Sequence, residues 1–362
     1  MTDFSERPAM TIGVEPSADI AEQRWRSRLQ LARDAHAYQA YLRVRRHVIT
    51  QLSLAHDRRS LGHAPSDYWS GELSRFDYML DASPLVIAQL RHHTHNLTGL
   101  LPQHYRSSLD SQRQQFAEKL VELRTLDHAD LWLPEAPLLG GFGFDIGGEL
   151  VNIDTLKFYE VLIALQSGAV LAEFRDSAER RLVWEIGAGW GGFAYQFKTL
   201  CPNVTYVITD FPELFLFSAT YLLAAFPEAR VRFYGEMPPD ELFTDWQGLD
   251  FVFLPDTFHT AARPERVDLT INMVSFQEMT TQQVQAYVRR THQLDCPYLY
   301  SLNRDRSHHN RELSNVRSII GECYWPHEVK MLPVSYPKML DADADTPESG
   351  YKHVVGWRRV KL

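Results

Sequence analysis

The run VWEIGAGWGG at 183–192 carries a hydrophobic strand pattern straight into glycines, and FAYQFKTL beyond it has a helical pattern. Glycines at the mouth of a strand permit a tight turn and close backbone approach to a ligand, the device of loops that hold nucleotide cofactors. Gly187, Gly189 and Gly192 have GxGxxG spacing, so a dinucleotide must be weighed. Against it stands Glu185, two residues before the first glycine, where a carboxylate repels a pyrophosphate and suits a cation. Asp210 ends the next strand-like run, VTYVITD, where an acidic side chain accepts hydrogen bonds from both ribose hydroxyls. NAD enzymes share that acid, so it marks an adenosine cofactor without choosing between them. The remaining alternative is a glycine turn that holds nothing.

Glu185, Gly187, Gly189 and Gly191 form E-x-G-x-G-x-G, which resembles the first motif of class I methyltransferases and makes S-adenosylmethionine (SAM) the expected cofactor. The expected cofactor-binding set is Glu185, Gly187, Ala188, Gly189, Trp190, Gly191, Asp210, Phe211 and Asp256, the last placed against the adenine amino group. Longer stretches carry a narrower resemblance: VWEIGAGWGGFAYQF, YVITDFPELFLFSATYLL, VDLTINMVSFQEMT with its continuation QAYV, and YLYSLNRD. These are similar to the sugar O-methyltransferases found in bacterial polysaccharide and natural-product gene clusters, and SFQEM is the most specific piece. The similarity covers 182–305, with weaker similarity around RHHTH (91–95) and the helix holding Tyr159 and Glu160. It implies a small-molecule acceptor bearing a sugar hydroxyl, whether free, nucleotide-linked or on a glycosylated product. The alternatives are a phenol or polyketide hydroxyl, an NAD-dependent oxidoreductase, and a non-catalytic SAM-binding subunit.

Methyl transfer from a sulfonium requires an acceptor oxygen placed behind the methyl group and a base to take its proton. In an open α/β sheet ligands gather at the carboxyl ends of the strands. SFQEMT sits there, so Ser275, Gln277 and Glu278 are expected to face the methyl group or the acceptor, with Glu278 the first candidate base. Its structural alternative is a carboxylate beside the next helix, where Thr280 and Gln283 have capping-box spacing. The second candidates are the catalytic His92 and His95, with His93 toward the substrate, because neutral imidazole is a suitable base near pH 7; polar surface is the alternative. His259 is a third candidate. Asn272 and Asn303 offer amides to acceptor or cofactor, or satisfy strand ends. Trp190, Phe211 and Tyr195 either stack on adenine or a sugar or pack the core. No metal is expected: HHTH lacks i, i+4 spacing and has no nearby Cys. Asp341, Asp343 and Asp345 imitate a calcium loop, but Thr346 and Lys352 stand where Gly and Glu are needed.

The elements that must position these groups change character midway. Apolar spacing predicts helices over 20–54 and 108–126, a long ordered loop over the Gly/Pro-rich 133–148, and a helix over 155–174 capped by Asp154. From Arg181 onward short apolar runs alternate with helical patterns, which predicts a wound, mostly parallel sheet, with KHVVGWRRV as an antiparallel edge strand. The expected fold class is therefore α/β, a class I methyltransferase Rossmann-like doubly wound sheet behind a mostly helical N-terminal region. The expected domains are a helical region or lid at 1–130, the loop and connecting helix at 131–178, and the SAM-binding domain at 179–362. With 362 residues, 44% hydrophobic and 23% charged, the chain has the composition of a soluble globular protein. Lys plus Arg is 37 and Asp plus Glu is 46, a net charge of −9 that speaks against nucleic acid or anionic lipid as partner. Three cysteines without a CxxC pair and a mixed-charge N-terminus without an apolar core predict a cytoplasmic protein. A homo-oligomer is compatible with the sequence.

Overall fold

The computed structural model describes residues 18–60, 65–106, 110–261, 263–306, 310–330 and 350–360. The Asp341–Asp345 triplet and the N-terminal segment read above lie outside them. Helices α1 (Ala18–Asp34), α2 (His36–Ser60), α3 (Asp67–Glu72) and α4 (Asp110–Leu126) make up most of the N-terminal region. The strands β1 (Phe144–Ile146) and β2 (Glu149–Val151) lead into α5 (Ile153–Ser167). The winding proper runs β3 (Arg181–Ile186), α6 (Gly192–Leu200), β4 (Val204–Asp210), α7 (Phe215–Ala225), β5 (Val231–Phe233), β6 (Phe251–Pro255) and β7 (Leu269–Met273). It finishes with α8 (Thr281–Gln293), β8 (Tyr298–Arg304), α9 (Val316–Cys323), β9 (Tyr324–Val329) and β10 (Tyr351–Arg358).

The eight-stranded sheet has the order β5-β6-β4-β3-β7-β8-β10-β9. It is parallel through β8 and antiparallel where β10 pairs with β8 and β9. This is the expected doubly wound sheet, with one correction. β10 is inset, and the outermost strand is β9, which the sequence hid behind Pro326. An edge strand tolerates proline because no neighbour needs its missing N–H. The Gly/Pro-rich stretch is likewise not all loop. Gly147 and Gly148 have φ of 66° and 88°, the paired positive values that close a tight hairpin between β1 and β2.

α5 (Ile153–Ser167) starts two residues earlier than expected and ends at Ser167. Its cap is Asn152, whose side chain accepts from the Thr155 N–H at 2.9 Å while Thr155 Oγ1 accepts from the Asn152 N–H at 3.0 Å. Asp154 is thereby released from capping for another task. β3, β4 and β6 are buried almost throughout because helices cover both faces of the sheet. One face is covered jointly by Tyr41, Val44 and Val48 of α2, Leu162 of α5 and Phe215 and Leu222 of α7, all in one hydrophobic cluster. Gln51 donates to the Tyr234 carbonyl at 3.0 Å, a further tie between α2 and the wound sheet. The N-terminal helices thus form part of the core, and the α3 segment is the part that reaches across the strand ends.

Candidate active site

A cavity of ≈ 740 Å³ opens at the carboxyl ends of β3, β4, β6 and β7, inside the roughly 300–1,000 Å³ range of small-molecule sites. Its floor is the glycine loop. Gly187, Ala188, Gly189 and Trp190 line it, whereas Gly191 and Glu185 do not. At Gly189 φ is +58° and an added Cβ meets nothing within 4 Å, so the backbone there faces open cavity. At Gly187, with φ of +74°, a Cβ would run into Ser275. Asp210 caps the loop from β4, accepting from the Gly189 N–H and the Phe211 N–H, both at 2.9 Å. Glu185 points the other way. It is fully buried within the sheet, accepts from the Tyr206 hydroxyl at 3.0 Å, and supports the loop from beneath.

The β7 end supplies the second wall. Val274 has φ of 65°, a conformation that β-branched residues rarely adopt. Such strain costs on the order of 1–3 kcal/mol and persists where surrounding contacts over-determine it. Here the Val274 N–H donates to the Leu302 carbonyl at 2.8 Å, and Ser275 and Glu278 beyond the kink both line the cavity. Gln277 and Asn303, expected to touch substrate, are buried outside the lining. Asn303 donates to Asn272 and to Ser301 at 2.8 Å each, and Gln277 donates to the Tyr351 hydroxyl at 3.3 Å. Their amides hold strand ends together. The Thr280–Gln283 capping box is present as well, at 3.2 and 2.9 Å, immediately after Glu278.

The N-terminal region closes the cavity with Pro65, Ser66, Asp67 and Trp69, and with Leu97 and Thr98. Ser66 Oγ donates to the Glu278 carbonyl at 2.7 Å, the Trp69 indole stands beside the Glu278 carboxyl and favours its charged form, and the Trp69 ring lies 5.3 Å from that of Phe211. His92, His93 and His95 do not reach the lining. His93 Nδ1 pairs with the Tyr78 hydroxyl at 3.1 Å, His92 packs edge-on against Phe142, and His95 Nδ1 lies 3.4 Å from the His92 carbonyl. Asp256 and His259 do line the cavity, with the Tyr287 ring 4.2 Å from the His259 ring and tilted by 35° to it. Among the described residues no three His, Cys, Asp or Glu side chains are arranged to hold a metal ion.

Sequence reasoning missed the residue that joins these parts. Arg91, the first letter of RHHTH, is fully buried, pairs with Glu135 at 2.7 Å and Asp154 at 3.4 Å, and stands 3.5 Å over the Trp190 ring. The Trp190 indole N–H donates to Asp154 at 3.0 Å. The glycine loop is therefore tied to the helical region by a cation sandwiched between two carboxylates and an aromatic face. A buried arginine is rare enough to mark a pairing site, but its burial and its partners at 135 and 154 had no sequence signal.

Burial raises the carboxyl groups of Glu185 to about 8, Asp210 to about 7 and Glu278 to about 8. A folded state that keeps protons the unfolded chain has released loses stability as pH rises toward those values. Burial holds His47, His92 and His93 below the ordinary histidine value, which acts in the opposite sense at lower pH, and Lys198, lowered to about 8 by burial, does so at higher pH. The window left to the carboxyls is about pH 6.5 to 8. Thermal unfolding followed across it is expected to show the midpoint falling as pH rises; a midpoint that climbs contradicts the assignment.

No protein-family model matches the chain, and no curated protein matches it. Solved structures do, at the level of low overall similarity. Magnesium protoporphyrin IX methyltransferase from Synechocystis PCC 6803 with bound S-adenosylhomocysteine (SAH) is 12% identical, over 58% of this chain and 89% of that one, with a TM-score of 0.35. The N-methyltransferase NodS from Bradyrhizobium japonicum WM9 with SAH is 12% identical over 58% and 94%, with a TM-score of 0.36. Human N-acetylserotonin methyltransferase with SAM is 13% identical over 56% and 57%, with a TM-score of 0.31. No described helix is long and apolar enough to cross a membrane.

Proposed function

We propose that this chain is a SAM-dependent O-methyltransferase acting on a hydroxyl of a sugar or sugar-bearing small molecule, with Glu278 as the base. The observation that carries the reading is the cavity's chemistry. A glycine loop open to solvent and a ribose-type acid, Asp210, share a lining with Asp67, Asp154, Asp256, Glu278 and Glu312, against Lys157 as the one lysine or arginine among the described lining residues. Such a surface suits a cationic cofactor and repels the pyrophosphate of a dinucleotide.

The residues present fit SAM. Gly189 leaves room for a ligand against the loop backbone, Asp210 offers its carboxylate from the end of β4, and Phe211 and Asp256 share the lining, where they would meet the adenine. When bound, SAM supplies a methyl group already activated on its sulfonium sulfur. Glu278 then accepts the acceptor's hydroxyl proton, and the Trp69 indole beside it favours the charged carboxylate. Trp69, Leu97, Thr98 and Phe158 shield the reacting oxygen from water. The test is mass spectrometry for a methyl-sized gain across a panel of hydroxylated acceptors with SAM, run beside Gly189→Val. That change places a β-branched side chain in the cavity at a strained φ and is expected to weaken SAM binding at least tenfold, about 1.4 kcal/mol. Undiminished SAM affinity in a folded Gly189→Val protein contradicts the placement.

A further inference from the structure

α5 presents two residues to the cavity that the sequence reading gave no role in recognition, Asp154 and Lys157. They lie one turn apart, with Lys157 Nζ 3.3 Å from Asp154 Oδ1. Asp154 Oδ2 is committed to Arg91 and to the Trp190 indole, so the carboxylate cannot swing, and Oδ1 is the oxygen turned to Lys157. The pair faces Glu278 across the cavity, near enough for the Lys157 charge to act on the Glu278 carboxyl. Trp69 and Phe158 add an aromatic surface to the same space.

We infer that Asp154 and Lys157 form the acceptor subsite and that it takes a vicinal diol on an uncharged sugar, held between the aromatic rings with one hydroxyl toward Glu278. This rests on the methyltransferase reading and narrows it. A carboxylate only accepts and an ammonium only donates. A pair of adjacent hydroxyls, each able to do both, satisfies the two at once, while a sugar's C–H face packs on an aromatic ring. A single phenolic hydroxyl leaves one of the two partners short, and unpaired buried polar groups are what sites discriminate by. A phosphate offers acceptors alone. The Lys157 charge is already matched by Asp154, and Asp67, Asp256 and Glu312 on the same lining repel an anion. Nucleotide-linked and phosphorylated sugars are therefore excluded.

The test is saturation-transfer NMR and calorimetry on the full chain with SAH present, using methyl mannoside and methyl rhamnoside as diol probes, mannose 1-phosphate as the anionic probe and p-cresol as the phenol. The diols are expected to bind at least tenfold more tightly than the phosphate or the phenol. Lys157→Met is expected to weaken diol binding at least tenfold and leave SAH affinity within twofold, with Lys157→Arg recovering part of the loss. Should the methionine variant fail to fold, Lys157→Gln is read the same way. Equal or tighter binding of the phosphate or the phenol, no diol binding to the SAH complex, or an unchanged diol affinity in the Lys157 variants overturns the subsite. SAH binding in the same titrations separates the two levels: if SAH itself fails to bind, the methyltransferase reading falls, and if SAH binds while the diols do not, only the subsite falls.

Discussion

Glu278→Gln is expected to lower kcat by about 10²-fold or more, roughly 2.7 kcal/mol of barrier, with SAM affinity changed much less. Glutamine keeps the size of the side chain, so what is lost is the proton acceptor itself. Burial holds the Glu278 carboxyl at about 8, above its ordinary value, and the nearby Asp210 adds to the rise while Lys157 opposes it. The Glu278 carboxyl is therefore protonated at neutral pH before a cation enters the cavity, and a positive ligand beside it favours ionisation. The pH profile of kcat/KM should show an ascending limb in the wild-type protein that Glu278→Gln lacks. A sugar hydroxyl, with its high pKa, should regain almost no rate at raised pH in the variant, whereas a phenol should regain much of it. His92→Ala, His93→Ala and His95→Ala are expected to retain turnover, since none of the three rings lines the cavity. Survival of activity in Glu278→Gln together with its collapse in a histidine variant contradicts this assignment.

The largest expected loss of stability follows Arg91→Met. The guanidinium is fully buried between Glu135 and Asp154, and its removal strands the Glu135 carboxylate in the interior and leaves Asp154 with Lys157 as its one cationic partner among the described residues. Breaking a buried ion pair from one side costs about 3–5 kcal/mol, because the remaining charge is left uncompensated. Asn152 still donates to Glu135 at 3.0 Å and Trp190 to Asp154 at 3.0 Å, which limits the damage but does not neutralise Glu135. Denaturant unfolding should register the loss directly. The double variant Arg91→Met with Glu135→Gln should recover part of it, since one stranded charge is then gone. A single variant as stable as the wild type, or a double variant less stable than the single, contradicts the pairing argument.

What the sequence made legible was decided by locality. VWEIGAGWGG, VTYVITD and VDLTINMV could be read as sheet strands because each is a continuous apolar run bounded by a glycine or an acid. Their strand-end residues Gly187, Gly189, Asp210, Ser275 and Glu278 fell into one cavity because parallel strands share a carboxyl edge. Glu185 was read toward the ligand because it lies in the motif, but a strand alternates its side chains, and the face it occupies belongs to Tyr206. Asp154 looked like a cap because acids start helices, yet Asn152 two positions earlier has the better geometry. RHHTH drew attention to its histidines, while the buried member was Arg91, whose partners at 135 and 154 are set only by the tertiary fold. Trp69 and Lys157 had no local signal at all. Each reaches the cavity from an element whose place over the strand ends comes from core packing.

The most direct test of the account is calorimetric titration of the full chain with SAM and, separately, with NAD, beside the Asp210→Ala variant. The account predicts that SAM binds with a one-site isotherm, that NAD gives no measurable binding, and that Asp210→Ala weakens SAM at least tenfold, about 1.4 kcal/mol. Binding of NAD in place of SAM, or SAM affinity untouched by Asp210→Ala, would contradict it.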